Sequence, residues 1–201
     1  MTDLASRDRE GVASSALWNV PNILSLSRVP LAAVLCVCIE YRWWLPALVV
    51  FGVAALTDWL DGWWARKFNQ MSAVGRALDP LTDKVLIGSA FIFLIPVLEA
   101  GIAPWMVAVV ISRELLVTGI RGIVESLGKK FGADWFGKLK TVLQCVVLVA
   151  LLLLLTCRQQ EWLPDANFLL LRLYQGLLWA MLVATVGSGL QYLVKAWRVL
   201  R

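Results

Sequence analysis

Residues 57–84 read TDWLDGWWARKFNQMSAVGRALDPLTDK, and the four aspartates in this stretch decide how the chain is built. Asp58 and Asp61 stand at i, i+3 and Asp79 and Asp83 at i, i+4, so each pair shares one face of its own helix. A loop of about a dozen residues, rich in Gly and Lys/Arg, is expected to join the helices and let the two faces meet. Apolar runs lead away on both sides. Four acids with no base of their own repel strongly in a low dielectric, so cations must sit among them. Hard divalent ions take oxygen ligands of this kind, and the stretch reads as a two-metal site at a membrane edge.

The composition places that site in lipid. Of 201 residues, 60% are hydrophobic, 11 are Trp and only 16% are charged, below the quarter usual in soluble chains. Mean hydropathy is +0.74. A net charge of +5 would suggest nucleic acid for a soluble protein; here the excess of Lys and Arg on the cytoplasmic side of membrane proteins accounts for it, and no nucleic-acid partner is expected. The N-terminus, MTDLASRDREG, mixes both charge signs and lacks the layout of a cleaved signal peptide, so the first span is expected to stay in the protein. There is no His, which excludes Ser–His–Asp and Cys–His mechanisms and weakens zinc and haem readings. Cys36, Cys38, Cys145 and Cys157 form no CxxC pair and read as small apolar side chains packed among helices.

Residues 1–21 form a polar lead whose patch Val12, Ala13, Ala16, Leu17 and Trp18 suits the membrane interface. Six runs near 22–41, 44–66, 78–98, 104–126, 138–158 and 168–195 are each long enough to cross about 30 Å of hydrocarbon as a helix. Helices are the economical choice, because open backbone groups are costly in lipid. The expected architecture is therefore an all-α integral membrane protein, with an interfacial lead (1–21) and one six-helix domain (22–201). Arg7, Arg9, Arg66, Lys67, Arg76, Lys129, Lys130, Lys138, Lys140, Lys195, Arg198 and Arg201 fall on one side, against Arg42, Arg158 and Arg172 on the other. Both termini and the aspartate hairpin are thus expected to face the cytoplasm.

Within the hairpin, Asp58 lies about 12 Å along the helix axis from Arg66, too deep for a short side chain to reach bulk water. Gly62 inside a helix costs up to about 1 kcal/mol relative to Ala, which close approach by a neighbouring helix or a flat ligand group would offset. Arg66, at the membrane exit, suits a phosphate as well as an ordinary basic flank. Asp79 precedes Pro80 and reads as an N-cap with Pro at the first helical position. That reading leaves Asp83 and the acids of the preceding helix unexplained, and intramembrane acids are functional by default.

The pattern Asp58-x2-Asp61-Gly62-x2-Ala65-Arg66-x8-Gly75-x3-Asp79-x3-Asp83 resembles, without a gap, the motif of the CDP-alcohol phosphatidyltransferases, with eight fixed residues over 26 positions. The resemblance extends to six helices, a cytoplasmic motif and a basic tail. It implies that the four aspartates bind two divalent cations, Mg2+ or Mn2+, and that Asp83 is the general base. It places Gly62, Ala65, Arg66 and Gly75 around the cytidine diphosphate of a CDP-lipid such as CDP-diacylglycerol. Pro21 and Asn22, in Val20-Pro21-Asn22-Ile23, resemble the stretch that closes over that lipid, and Ser72 matches a hydroxyl in the same lining. Related enzymes are homodimers, so a homodimer is implied, in a bacterial cytoplasmic membrane.

The acceptor is read from the fourth run, where Ser112-Arg113-Glu114 sits near the middle and Arg121 two turns later. Arg113 is expensive in lipid unless it faces a polar cavity or pairs, with Glu114 of a neighbour or with an acid of the site. With Lys138 and Lys140, these arginines could form a basic pocket for an anionic acceptor, forking on its phosphate. A salt bridge for Arg113 and plain basic flanks for the lysines remain the alternative. The run SREL…R…GKLKT resembles the bacterial branch that transfers to glycerol 3-phosphate; inositol phosphate would suit similar charges, whereas choline or ethanolamine would avoid them. Intramembrane acids are equally apt for a cation transporter. That reading requires an ion path through both leaflets, and here the acids cluster toward one face.

Overall fold

Long apolar runs leave backbone N–H and C=O groups no partner but one another, and every regular element among the described residues is helical. The structure is a computed structural model, and it describes residues 20–68, 73–127, 135–162 and 167–200. In chain order come α1 (Val20–Glu40), α2 (Trp44–Phe68), α3 (Ala73–Leu94), a single 3-10 turn (Leu98–Ala100), α4 (Pro104–Ser126), α5 (Trp135–Gln159) and α6 (Asn167–Leu200). Each expected run is a helix. The expected interfacial patch around Trp18 lies outside the described residues.

One expectation needs correction. The third helix begins at Ala73, not near 78, so only residues 69–72 separate it from α2, and the joining segment is far shorter than a dozen residues. Asp79 and Pro80 therefore lie inside α3 rather than at its start. Pro80 cannot donate to the carbonyl one turn back, which removes one helical hydrogen bond. Ala73, Arg76, Ala77 and Leu78, strong helix formers, continue the helix on the other side of it in spite of Gly75.

The connections at one end of the bundle are tightly closed. At the end of α1, Trp43 N–H donates to Cys38 O (2.8 Å) and Arg42 N–H to Ile39 O (3.0 Å), with Arg42 left-handed at φ 57°. At the end of α5, Trp162 N–H donates to Cys157 O (3.1 Å) and Glu161 is left-handed at φ 54°. A left-handed residue at a helix end is normally Gly, so both turns hold a side chain where one is disfavoured. The two are tied together, since Gln159 Nε2 donates to Arg42 O, and Arg42 also pairs with Glu99 at 3.7 Å.

α1 packs mainly on α3 and α2, α6 on α5 and α4, and α2 joins the halves through α5. One apolar core runs through all six helices, including Leu35, Phe51, Phe91, Val107, Leu151 and Met181. Tyr174 extends into it and donates its hydroxyl to Ala100 O at 2.7 Å, anchoring α6 to the 3-10 turn. Cys36, Cys38 and Cys157 are buried and Cys145 half-buried, and none of the four is in a disulfide. Leu115, Leu116, Ile123, Leu173, Val183 and Trp197 are instead exposed on the outer faces of α4 and α6, which suits hydrocarbon rather than water. Leu139–Gln159 and Phe168–Arg198 are long and apolar enough to cross a membrane. In α2, α3 and α4 the charged residues discussed next interrupt the apolar stretch.

Candidate active site

The aspartate motif falls on the two arms of a helical hairpin. Asp58, Asp61, Gly62, Ala65 and Arg66 occupy the second half of α2, and Gly75, Asp79 and Asp83 the first half of α3. Pro21 and Asn22 lie in the first turn of α1. The side chains of these residues, and Ser72 altogether, lie outside the described residues. The backbone registers are nevertheless informative. Asp61 is seven residues before the end of α2 at Phe68, and Asp79 six after the start of α3 at Ala73; Asp58 and Asp83 are each ten from the same ends. At about 1.5 Å per residue the acids form two levels, roughly 10 and 15 Å from the helix ends. α1 packs against both arms and so links them. Carboxylates, two on each arm, are donors of the kind that hard divalent cations take.

Positive charge abuts the second arm. Arg28 of α1 is fully buried, and its Nη1 donates to Thr82 Oγ1 at 3.5 Å, one residue before Asp83. One residue after Asp83, Lys84 Nζ donates to Thr118 Oγ1 of α4. Thr118 in turn donates to Glu114 O at 2.7 Å, so the aspartate arm is tied to the middle of α4.

A buried polar cluster lies there. Glu114 Oε1 accepts from Arg113 Nη1 (3.3 Å) and from Lys140 Nζ of α5. Arg113 therefore pairs within its own helix, with its immediate neighbour. Arg113 and Lys140 keep only 8% and 7% of their side chains exposed, a desolvation that a shared carboxylate only partly offsets. Arg113 Nε and Nη2, and Gln144 Nε2 one turn beyond Lys140, are buried donors with no hydrogen-bond partner among the described residues. Buried donors of this kind require an acceptor. Arg121, two turns after Arg113, donates from Nη2 to Tyr192 OH of α6 at 2.6 Å. Of the expected acceptor residues, Arg113, Arg121 and Lys140 thus converge on one cluster, while the side chain of Lys138 lies outside the described residues.

An acid-bearing hairpin is thus tied to a buried cationic cluster, in a bundle that exposes apolar side chains. Residues 18–188 match the family model for CDP-alcohol phosphatidyltransferase, and the chain belongs to that family of membrane enzymes. It is similar to the CDP-diacylglycerol--glycerol-3-phosphate 3-phosphatidyltransferase of Bacillus subtilis (strain 168), at 33% identity over 92% of this chain and 98% of the relative. The proteins of that name from Escherichia coli (strain K12) and Salmonella choleraesuis (strain SC-B67) are each 34% identical, over 89% of this chain and 95% of their own length.

Several site residues escape a reading of the sequence. Arg28 and Lys84 were signalled by their charge inside apolar runs, the cue that singled out Arg113. Tyr192 and Thr118 carry no such signal, because a Tyr or Thr in an apolar helix is ordinary until its tertiary partner is known.

Proposed function

We propose that the chain transfers the phosphatidyl group of CDP-diacylglycerol to glycerol 3-phosphate, releasing CMP and forming phosphatidylglycerophosphate. The observation that carries this reading is the ungapped aspartate motif on a hairpin, in a chain similar over almost its whole length to proteins named for this reaction. Asp58, Asp61, Asp79 and Asp83 would hold two divalent cations, Mg2+ or Mn2+. When bound, these neutralise the diphosphate and stabilise the leaving phosphate.

The chain's own residues do the rest. Gly62 and Ala65 leave room for the nucleotide, Arg66 holds its phosphate, and Gly75, Ser72, Pro21 and Asn22 complete the lining. Arg113, Arg121, Lys138 and Lys140 hold the acceptor's phosphate, and Arg113 brings two buried donors that have no other partner among the described residues. Asp83 takes the proton of the acceptor hydroxyl as its oxygen attacks the lipid-side phosphorus, and the bond from that phosphorus to the CMP oxygen breaks. A carboxylate beside a cation is a weak base, so orientation of the hydroxyl is a large part of its contribution.

The same reading takes all six helices as spans, treats residues 22–201 as one catalytic unit, and places both termini and the hairpin on the cytoplasmic side of a bacterial membrane. The helices are 21 to 34 residues long, enough to cross about 30 Å, and the Lys/Arg distribution supports the orientation. It takes the active form to be a homodimer. The test is CMP release by the purified protein from CDP-diacylglycerol, run in parallel with glycerol 3-phosphate, inositol phosphate and uncharged alcohols. Release with glycerol 3-phosphate supports the proposal, and release only with another alcohol would reassign the acceptor. Ion flux in proteoliposomes with no CMP from any alcohol would remove the enzyme reading.

A further inference from the structure

Tyr192 stands at the one place where α6 meets both arginines of α4. Arg113 and Arg121 are eight residues apart, about 12 Å along the helix axis, yet each guanidinium carbon lies 5.7 Å from the Tyr192 ring centroid. The two side chains converge from opposite ends of two helical turns onto one ring. Unassisted, two guanidiniums drawn together repel, although here only Arg113 is buried and Arg121 is exposed. An aromatic face attracts both, more strongly where water is excluded, and the Tyr192 ring is almost fully buried. The hydroxyl adds direction, since Arg121 Nη2 donates to it at 2.6 Å.

The surface of α6 around the ring is shaped for this contact. Thr185, Ser188, Tyr192 and Ala196 form a buried stripe at helical spacing, and Gly189 lies beside it. A Cβ on Gly189 would come within 3.1 Å of Arg113 Cγ, so the missing side chain is what lets the stem of Arg113 lie against α6. Thr185 and Ser188 return their hydroxyls to carbonyls of their own helix, at 2.7 and 3.0 Å, and so do not compete for the guanidinium. Arg113 consequently reaches the cluster with one nitrogen on Glu114 and two that have no hydrogen-bond partner among the described residues.

We infer that Tyr192 is a positioning residue: it clamps Arg113 and Arg121 as a pair and fixes the fork that receives the acceptor's phosphate. This rests on the proposed acceptor pocket, which it extends to α6. Tyr192 acts through the arginines and does not contact the reacting atoms.

The experiment measures KM and kcat separately for glycerol 3-phosphate and CDP-diacylglycerol in Tyr192→Phe, Tyr192→Leu, Arg121→Gln and the double variant Tyr192→Phe/Arg121→Gln. Loss of a hydrogen bond to a charged group should raise KM for glycerol 3-phosphate about tenfold in Tyr192→Phe, with KM for CDP-diacylglycerol unchanged. Tyr192→Leu, which also removes the ring, should raise it several-fold further. In the double variant, Tyr192→Phe should add almost nothing to Arg121→Gln, because the hydroxyl acts on that arginine. If Arg121→Gln raises KM for the acceptor while both Tyr192 variants leave it unchanged, the clamp is refuted and the pocket stands. If Arg121→Gln also leaves it unchanged, the pocket reading falls and the clamp with it. Equal losses for both substrates, or full additivity in the double variant, would make Tyr192 a packing residue and overturn the inference.

Discussion

Replacing Glu114 with Gln removes a single charge from the most strained electrostatic point among the described residues. Glu114 Oε1 serves Arg113 and Lys140 together, and the three side chains are 14%, 8% and 7% exposed respectively. Glu114→Gln keeps the shape and one acceptor oxygen but leaves two buried cations facing a neutral amide. Breaking a buried pair by removing one partner costs about 3–5 kcal/mol. The hydrogen bond retained by the amide oxygen recovers about 1 kcal/mol, so the net loss should be roughly 2–4 kcal/mol. At about 2–4 °C per kcal/mol for a chain of this size, that is a fall in melting temperature on the order of 10 °C. Lys140→Met alone should cost much less, since Glu114 keeps Arg113 as its partner. Added to Glu114→Gln, it should restore a large part of the loss, because one of the two unpaired cations is replaced by an apolar side chain of similar length. Thermal melting of the detergent-solubilised protein, followed by size exclusion in phosphate-free buffer, measures all three. A Glu114→Gln protein that melts within 2 °C of the parent, or a double variant no more stable than Glu114→Gln, would refute the reasoning.

Asp61→Asn and Asp83→Asn should each abolish CMP release while leaving the helical circular dichroism spectrum unchanged; parental rates in either would dismiss the hairpin as the site. Chelation with EDTA should reduce CMP release to background and added Mg2+ or Mn2+ should restore it, whereas full activity after exhaustive chelation would count against a metal role for the aspartates. Arg28→Met should lower both kcat and thermal stability, the latter by about 1–3 kcal/mol, since a fully buried guanidinium that bonds Thr82 is lost from the α1–α3 contact. Retention of both values would show that Arg28 is a passive passenger of the span.

The helices were legible in the sequence because in lipid an apolar run of twenty residues has a single good backbone solution. The start of α3 was misread for a related reason. Asp79-Pro80 is a strong N-terminal signal in water, where a helix has alternatives, but here the segment from Ala73 continues the helix through the missing donor. Arg113, Arg121 and Lys140 could be grouped because charge inside an apolar run demands a polar destination. Glu114 could be offered as a partner for Arg113, though of a neighbour rather than of its own helix, but the partners of Lys140 and Arg121 could not be named. Glu114 sits 26 positions from Lys140 and Arg121 sits 71 from Tyr192, and spacing within one helix carries no information on which face of another it meets.

In the proposed reaction, the division of charge between helices makes α3 central. A single helix carries Asp79 and Asp83 and then, at the next position, a cation whose ammonium is bonded to α4. The proposed site joins these acids to those of α2 across a connection of only four residues, while Lys84 is bonded to Thr118, one turn beyond Glu114 on α4. Donor lipid and acceptor phosphate both carry negative charge and repel, so a transferase that joins them must bring two separate cationic fields within bonding distance without letting either collapse onto the other. In the proposed reaction, cation-recruiting acids on the two arms of the hairpin and guanidiniums on α4, joined to α3 through Lys84 and Thr118, would give each anion its own counter-charge and keep the spacing in the hands of rigid helices. Lengthening the reach at that joint would then impair the meeting of the two substrates more than the binding of either one.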